Sequence, residues 1–368
     1  MTTEAQIPIE TQRYARQLAL PGFGNEQQMM LQLAKVAVIG CGGLGCSVLQ
    51  YLCAAGVGHL ILADADIVSD SNLHRQILFA EGDIGKMKVN AAAEKMRCMN
   101  SKVQLAKHAF YVTAQNAIDI LHRADVLVDC TDNFSARFLL SDAAVKLGKP
   151  LVHAAIHQYE GWLSVFNHLQ DINYRDVHTE PPAAGTVPDC NTGGVMGALA
   201  GMLGSMQANE VIKLITKIGI TAEGTMLHID TLYNTFNTFS LRPNPNNKVR
   251  QHNQHLIVLR DYNEHCQTIS TNVMIKELTS DEVRAMQAGH VDFQLIDVRE
   301  PMEYEEKNIG GELIPMNSVP ANVEGIAKDK MVVVHCKSGS RSASVIEWLQ
   351  REHGFTNLYN LKGGIMAW

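Results

Sequence analysis

The sequence lacks several features that mark specialised classes of protein. Its eight cysteines include no CxxC pair, and their spacing follows no compact disulfide framework. Most of them are therefore expected to be small core residues in a reducing compartment. A basic excess is also missing: 31 basic and 38 acidic residues give a net charge of −7, which argues against general nucleic-acid binding.

No segment has the pattern of a membrane span or an export signal. The opening residues, MTTEAQIPIE, have neither a basic start nor an apolar core, so we expect no signal peptide and a cytoplasmic location. The strongest membrane candidate, residues 193–215, is interrupted by Gln207, Asn209 and Glu210 within one helical length. We predict a buried core helix there and no membrane contact.

The pattern that is present indicates two α/β domains, because 368 residues exceed the size of one hydrophobic core. From Val36 the chain alternates short apolar runs with helical stretches, as in VAVIG, LGCSVLQYLCAAG and HLILAD. This rhythm predicts βαβ units on a Rossmann-like, mostly parallel sheet. We assign residues 1–242 to this first domain, 243–272 to a linker rich in Asn and Pro, and 273–368 to a small second α/β domain.

A glycine fingerprint lies near the start of the first domain. Gly40, Gly42 and Gly45 form GxGxxG between a strand and a helix, and Asp64 closes the next strand. Glycines let the backbone approach phosphate oxygens, the helix N-terminus favours their charge, and the acid can bind ribose hydroxyls. Taken alone, the motif fits NAD and an oxidoreductase.

The residues that follow favour a nucleoside triphosphate instead. Asn72, Arg75 and Gln76 lie on one short segment after the acid, Lys88 comes next, and Asp132 ends a later strand. Several cations and a carboxylate suit a triphosphate with its magnesium better than a pyrophosphate that joins two nucleosides. The fingerprint is therefore predicted to hold ATP.

Five motifs in order resemble those of the MoeB/ThiF/HesA family, bacterial relatives of the ubiquitin-activating enzymes: RYARQLALPGFG, GCGGLGCSVLQYLCAAGVGHLILADAD, SNLHRQ, GKMKV and DCTDN. By this resemblance Gly43 would lie against the phosphates and Asp64 would bind the ribose. Asp132, with Asn133 beside it, would organise magnesium and the reacting phosphate. The triphosphate site would be lined by Ser71, Asn72, Arg75 and Lys88. Arg16 would reach into the nucleotide site of a second subunit, which implies a homodimer.

The chain departs from this family at a metal site. Many members bind structural zinc through two CxxC pairs, but the aligned positions here are Asn173, Asp176, Asn247 and Arg250. Asn and Arg are not ligands of such a site, so we predict no zinc and a looser crossover loop unless other contacts replace the metal. Cys190, in a Pro- and Gly-rich loop, aligns with a cysteine of the family that joins covalently to substrate or takes part in sulfur transfer. A reactive thiol and inert packing both stay open for it.

The second domain contains a candidate sulfur carrier. In MVVVHCKSGSRSASVIEWL, Cys336 begins a short loop before a helix and Arg341 closes it. Backbone N–H groups at a helix N-terminus lower a thiol pKa, so a reactive thiolate is expected. The Cys-x4-Arg spacing suits a persulfide better than a phosphate, and the domain resembles the rhodanese family. Asp297 and Arg299 are predicted to be a structural ion pair.

The two domains together resemble the MoeZ-type activators of ubiquitin-like sulfur-carrier proteins. The prediction is that ATP adenylates the C-terminal glycine of a carrier ending in Gly-Gly, and that a Cys336 persulfide then supplies sulfur for a thiocarboxylate. A cysteine desulfurase or thiosulfate would load Cys336. Alternatives are adenylation of a peptide or small acid, a non-catalytic sulfur-relay scaffold, and an NAD-dependent oxidoreductase. The pathway stays open among molybdopterin, thiamine, cysteine, thiolated tRNA and a secondary metabolite.

Overall fold

A computed structural model of the protein describes residues 10–182, 194–262 and 275–368. Its contacts divide the chain into two compact units, Met1–Ile269 and Ser270–Trp368. Each unit is built on its own sheet with helices packed against it. The predicted α/β fold class, a Rossmann-like domain followed by a small α/β domain, is confirmed.

The first unit contains an eight-stranded sheet. Its strands are β1 (Lys35–Ile39), β2 (His59–Ala63), β3 (Gln104–His108), β4 (Val126–Asp129), β5 (Leu151–His157), β6 (Glu160–Phe166), β7 (Thr225–Asp230) and β8 (Thr235–Ser240). They lie in the order β3-β2-β1-β4-β5-β6-β7-β8. Strands β1 to β5 are parallel, and β6, β7 and β8 continue the sheet in antiparallel pairs. The parallel half therefore brings the carboxyl ends of β3, β2, β1 and β4 to one edge.

Helices cover both faces of this sheet. They are α1 (Ala15–Leu18), α2 (Asn25–Leu33), α3 (Gly43–Ala55), α4 (Lys88–Met99), α5 (Ala117–Leu121), α6 (Phe134–Leu147), α7 (Tyr174–Val177) and α8 (Gly197–Thr216). One core joins the sheet to α3, α4 and α8, and a second joins it to α5 and α6. Strands β1 and β4 are almost wholly buried, as expected for parallel strands covered on both faces.

Helix α8 is the segment that was the strongest membrane candidate. It packs closely on α3, since a Cβ at Gly204 would lie 2.4 Å from the carbonyl oxygen of Leu44. Two of its polar residues have partners inside the domain: Gln207 donates to the carbonyl oxygen of Asp129, and Glu210 accepts from the N–H of Ala222, while Asn209 is exposed. The predicted buried core helix is confirmed. Among the residues that the structure describes, no helix is long and apolar enough to cross a membrane.

The segment predicted to be a linker differs from that expectation over residues 243–262, which pack on the first unit. Lys146 Nζ donates to the carbonyl oxygen of Ile257 at 2.6 Å, and the N–H of Ala114 donates to Asp261 at 2.8 Å. The phenol of Tyr262 lies buried against Asp142 and Arg175. Asparagines that suggested a free tether instead satisfy turn and loop backbone here.

The second unit contains a five-stranded sheet in which every pairing is parallel. Its strands are β9 (Lys276–Leu278), β10 (Phe293–Asp297), β11 (Glu312–Leu313), β12 (Met331–His335) and β13 (Leu358–Leu361), in the order β11-β10-β12-β13-β9. Its helices are α9 (Ser280–Ala288), α10 (Pro301–Glu306) and α11 (Ser340–His353). The central strand β12 leads directly into the loop that carries Cys336.

Candidate functional site

The glycine fingerprint forms a tight turn between β1 and α3. Gly40 has φ +96°, and a Cβ there would lie 2.6 Å from the carbonyl oxygen of Cys130. A Cβ at Gly45 would lie 2.0 Å from the carbonyl oxygen of Gly40. Gly42 is the N-cap of α3 and Gly43 is its first residue, so the first N–H groups of the helix need partners from outside it. This is the geometry of a phosphate-binding turn.

Asp64 stands beside this turn at the end of β2. Its carboxylate accepts hydrogen bonds from the N–H of Cys41 at 2.7 Å and from the N–H of Asp66 at 2.8 Å. Burial raises the pKa of Asp64, and these two bonds offset part of that effect. Asp64, the acid that the sequence predicts will bind the ribose, thus also holds the start of the glycine turn.

Ser71, Asn72, Arg75 and Gln76 follow on one helical turn and the residues after it. Arg75 Nη1 donates to the carbonyl oxygen of Ser71 at 2.9 Å, and Asn72 accepts from the N–H of Ser69. Gln76 is buried beneath the glycine turn, with its amide nitrogen 3.9 Å from where a Cβ of Gly42 would lie. This segment therefore lies directly against the glycine turn.

Lys88, the first residue of α4, has a buried side chain whose ammonium group donates to Asp66 at 2.8 Å. A buried ammonium needs such a partner, because its desolvation is costly when unpaired. Asp66 also accepts a hydrogen bond from the phenol of Tyr111 at 2.9 Å. Asp66 and Tyr111 were not found from the sequence. The alternating acids in ADAD and the aromatic pair just after β3 are the signals that could have marked them.

Asp132 lies on an exposed turn after β4, and Asn133 beside it caps α6 by accepting from the N–H of Ala136. The turn is anchored from below by Asp129, whose carboxylate accepts from both the N–H and the hydroxyl of Thr131. The other oxygen of Asp129 lies 2.8 Å from Nδ1 of His153 on β5. Sequence reasoning did not single out this buried pair. An exposed carboxylate suits magnesium, which prefers oxygen ligands, whereas the amide oxygen of Asn133 is already used by the helix.

The four positions aligned with the zinc ligands of the family lie together. Arg250 donates both Nη atoms to Asp176 at 2.8 Å, and Asn247 Nδ2 donates to Asn173 Oδ1 at 3.0 Å. Asn173 in turn donates to the carbonyl oxygen of Val249. The set does not fit zinc, because the guanidinium and amide nitrogens are donors already satisfied by oxygen partners. No group of three or more His, Cys, Asp or Glu that could hold a metal occurs within residues 10–182, 194–262 or 275–368.

The structure does not test the roles predicted for Arg16 and Cys190. Arg16 is exposed on the short helix α1. Cys190 lies outside the described residues. The predicted roles of both stay predictions.

Cys336 is buried at the start of the loop between β12 and α11. Its Sγ accepts from the N–H of Gly339 at 3.2 Å, and the Ser342 hydroxyl lies 3.4 Å away. Asn360 Oδ1 at 2.7 Å and the carbonyl oxygen of Gly339 at 3.1 Å compete with Sγ for the same hydroxyl proton. Burial alone would raise the pKa of Cys336, but the hydrogen bonds from Ser342, Ser338 and Gly339 outweigh it and hold the pKa below its ordinary value. The loop therefore stabilises a thiolate.

Arg341 does not point freely into this loop, because it is paired with an acid. Its Nη1 and Nη2 donate to the two carboxylate oxygens of Glu303, each at 2.8 Å. The pairing lowers the pKa of Glu303 to about 2. Asp297 and Arg299 form the expected ion pair, with Nη2 and Oδ2 2.6 Å apart, and Arg299 also donates to backbone carbonyl groups of α10 and the residue after it.

Comparison with known proteins agrees with both halves of this description. Residues 14–250 match the ThiF family, and residues 279–368 match the rhodanese-like domain. A relative from Mycobacterium tuberculosis, probable adenylyltransferase/sulfurtransferase MoeZ, is 37% identical over 98% of this chain and 93% of its own length. Adenylyltransferase and sulfurtransferase MOCS3 is 34% identical in Xenopus laevis, over 97% of this chain and 85% of the relative. The Bos taurus protein of the same name is 36% identical over 98% and 85%.

Solved structures resemble this chain in fold over about two thirds of its length. The microcin C7 biosynthetic enzyme MccB in complex with N-formylated MccA has a TM-score of 0.59 and 22% identity, covering 66% of this chain and 77% of that one. E. coli MccB with ATP has a TM-score of 0.58 and 22% identity, covering 66% and 75%. The full-length relatives carry names for nucleotidyl and sulfur transfer, which decides against the oxidoreductase alternative. The chain belongs to the ThiF family, with a rhodanese-like domain at its carboxyl end, and is an adenylyltransferase with sulfurtransferase activity.

Proposed function

We propose that the first domain uses ATP to adenylate the C-terminal glycine of a ubiquitin-like sulfur-carrier protein, and that Cys336 of the second domain supplies the sulfur. One observation supports adenylation by the first domain. The glycine turn, Asp64 and Asp132 follow β1, β2 and β4, so all three stand at one edge of the parallel sheet. Lys88 is tied to the same edge through Asp66, whose N–H bonds to Asp64.

The chemistry of adenylation follows from this arrangement. The carrier carboxylate attacks the α-phosphorus of ATP, pyrophosphate leaves, and a mixed anhydride with AMP remains. Attack requires two anionic groups to approach, and Lys88, Arg75 and the N-terminus of α3 would reduce their repulsion. Asp132 would hold Mg²⁺, which when bound neutralises phosphate charge.

Sulfur transfer would follow at Cys336. The Cys336 thiolate takes the outer sulfur of thiosulfate, which releases sulfite, or that of a cysteine desulfurase persulfide, which releases the desulfurase thiolate. The terminal sulfur of the resulting Cys336 persulfide attacks the acyl carbon and releases AMP. The product is an acyl disulfide between carrier and Cys336. A second thiolate then attacks Sγ of Cys336, which frees the carrier thiocarboxylate and leaves a disulfide. Cys190 is our candidate for that thiolate, and a cellular dithiol would reduce the disulfide for the next cycle.

Three further parts of the proposal concern the assembled enzyme. The protein works as a homodimer in which Arg16 of one subunit completes the nucleotide site of the other. It holds no structural zinc, because the Asn173, Asp176, Asn247 and Arg250 network occupies that position. The reduced cysteines that the transfer requires suit a cytoplasmic location.

ATP–pyrophosphate exchange tests the proposal, with a purified carrier ending in Gly-Gly as substrate. We expect exchange to require the carrier, to be lost in Asp132→Ala and to survive in Cys336→Ala, because adenylation precedes sulfur transfer. The Cys336→Ala variant is also the matched control, since only thiocarboxylate formation should disappear there. Absence of exchange with every carrier would overturn carrier adenylation. Loss of exchange in both variants would overturn the assignment of adenylation to the first domain and of sulfur transfer to the second.

A further inference from the structure

Tyr111 stands where the base of a bound nucleotide is expected. Phosphates belong at the glycine turn after β1, and the ribose belongs at Asp64 after β2. The sheet order β3-β2-β1 places β3 next along this line. The base, continuing away from the phosphates, therefore reaches the residues that follow β3, among which Phe110 and Tyr111 are both exposed.

The Tyr111 side chain is held in place although its ring is open to solvent. The residue is 67% exposed, yet its phenol donates to Asp66 at 2.9 Å and its carbonyl oxygen accepts from Asn116 Nδ2 at 3.0 Å. The hydrogen bond to Asp66, and then the charges of Asp66, Asp64 and Asp132, raise the pKa of Tyr111. The phenol therefore stays a donor and faces the same carboxylates as the nucleotide would.

An aromatic ring held by its phenol bond to Asp66, on a backbone held by Asn116, suits stacking on a planar base, because little further side-chain entropy is lost on contact. Asp66 connects this ring to the triphosphate side, since its other oxygen accepts from Lys88 at 2.8 Å. We propose that Tyr111 is a specificity-determining residue that packs against the base of ATP, with Asp66 as the residue that positions it. This inference rests on the proposed adenylation.

Binding of two probes tests the contact by calorimetry on the full-length protein. ATP contains the base, and inorganic tripolyphosphate does not. Tyr111→Leu should weaken ATP binding about tenfold, within the range measured for stacking of a base on an aromatic side chain, and should leave tripolyphosphate binding unchanged. Tyr111→Phe keeps the ring but loses its bond to Asp66, so its ATP binding should fall between those of the wild type and Tyr111→Leu, with tripolyphosphate binding unchanged. Tyr233→Leu, at a 73% exposed tyrosine between β7 and β8, is the matched control and should change neither.

Each other result has a distinct meaning. ATP binding by Tyr111→Leu equal to that of the wild type would overturn the contact. Equal weakening of ATP and tripolyphosphate would overturn it in favour of an effect through Asp66 and Lys88 on the phosphates. Thermal melting of each variant separates both results from loss of folding, and Tyr111→Phe keeps the test available if the leucine variant unfolds. A wild type that binds neither probe would instead overturn the proposed adenylation, and this inference with it.

Discussion

Arg250 and Asp176 form a bidentate ion pair that joins the segment after β8 to helix α7. Both Nη atoms of Arg250 lie 2.8 Å from a carboxylate oxygen of Asp176, and the Asp176 side chain is 1% exposed. The same carboxylate accepts from the N–H groups of Asn173 and Asn244. These contacts join the two segments that a zinc site would join in other members of the family, which is the condition under which the sequence predicts no loosening of the crossover loop.

Removing one partner of this pair should be costly. Arg250→Met leaves a buried carboxylate without its cation, and we expect the free energy of unfolding to fall by ~3 kcal/mol. Asp176→Asn keeps the shape and should cost a similar amount. Chemical denaturation measures both, and the double variant should lose clearly less than the sum of the single losses. Strict additivity would show that the two side chains do not stabilise each other.

The pair should also make stability depend on acid. Burial alone would raise the pKa of Asp176, but the bonds from Arg250, Asn173 and Asn244 outweigh it, so the folded pKa lies below its ordinary value. A lowered folded pKa stabilises the protein above the unfolded pKa of about 3.9, and that contribution disappears as the pH falls through the folded value. Wild type should lose stability over that acid range more steeply than Asp176→Asn. If the free energy of unfolding, measured by chemical denaturation at each pH, falls equally steeply in the wild type and in Asp176→Asn, this assignment is contradicted.

Chelators should have no effect on the first unit. In a domain with a structural zinc site, metal binding contributes to the folding free energy, so removal of the metal destabilises the fold. Here the corresponding positions are satisfied by Arg250, Asp176, Asn173 and Asn247 themselves. We expect less than stoichiometric zinc by elemental analysis of the purified protein and the same melting temperature with and without a strong chelator. Stoichiometric zinc removed together with stability would refute the metal-free network.

The features that the sequence predicts well are those set by local pattern. Alternating apolar runs and helical stretches located the parallel strands, and residues at their carboxyl ends, such as Gly40, Asp64 and Asp132, necessarily share one edge. The contacts of Asp66 with Lys88 and Tyr111 could not be predicted this way. They join residues far apart in the chain, and no periodicity encodes which distant side chain a carboxylate accepts from.

The linker illustrates a second limit. Composition rich in Asn and Pro is shared by tethers and by surface segments whose turns are held by side-chain hydrogen bonds. Asn247 and Asn253 accept from backbone N–H groups of their own segment, while Arg250 reaches across to Asp176. Only the second kind of contact fixes residues 243–262 on the first unit, and a single sequence does not reveal it.

The turn that carries Asp132 should depend on Thr131. The Thr131 hydroxyl donates to the buried carboxylate of Asp129 at 2.7 Å, beneath the turn. Thr131→Val keeps the shape and removes this bond, while the N–H of Thr131 stays bonded to Asp129, so the turn that carries Asp132 should be held less firmly. We expect the rate of ATP–pyrophosphate exchange to fall about tenfold, with a stability loss of only ~1 kcal/mol.

Thr216→Val is the control for that substitution. Thr216 is buried in α8 and its hydroxyl donates to the carbonyl oxygen of Ile212 at 2.7 Å. The control therefore loses a comparable hydrogen bond away from the turn. It should show the same small loss of stability with an unchanged exchange rate. Equal loss of exchange in both variants would mean that stability, and not the position of Asp132, limits the reaction.

Ser342 should set the reactivity of Cys336. Its buried hydroxyl lies 3.4 Å from Sγ and is the leading hydrogen bond that lowers the pKa of Cys336 against the effect of burial. In Ser342→Ala the burial effect is less opposed, so the titration of Cys336 should move to higher pH and the thiolate should be scarcer near neutrality. Ultraviolet thiolate absorbance, taken as the difference between each protein and its Cys336→Ala counterpart, measures this shift.

Sulfur transfer from thiosulfate to cyanide should fall about tenfold at neutral pH in Ser342→Ala, as expected for loss of a hydrogen bond to a charged group, and recover in part as the pH rises. Ser280→Ala, which removes an exposed hydroxyl bonded to the carbonyl oxygen of Ala367, should leave both the titration and the pH profile unchanged. A Ser342→Ala titration that coincides with the wild type would show that the backbone N–H groups of the loop alone hold the thiolate.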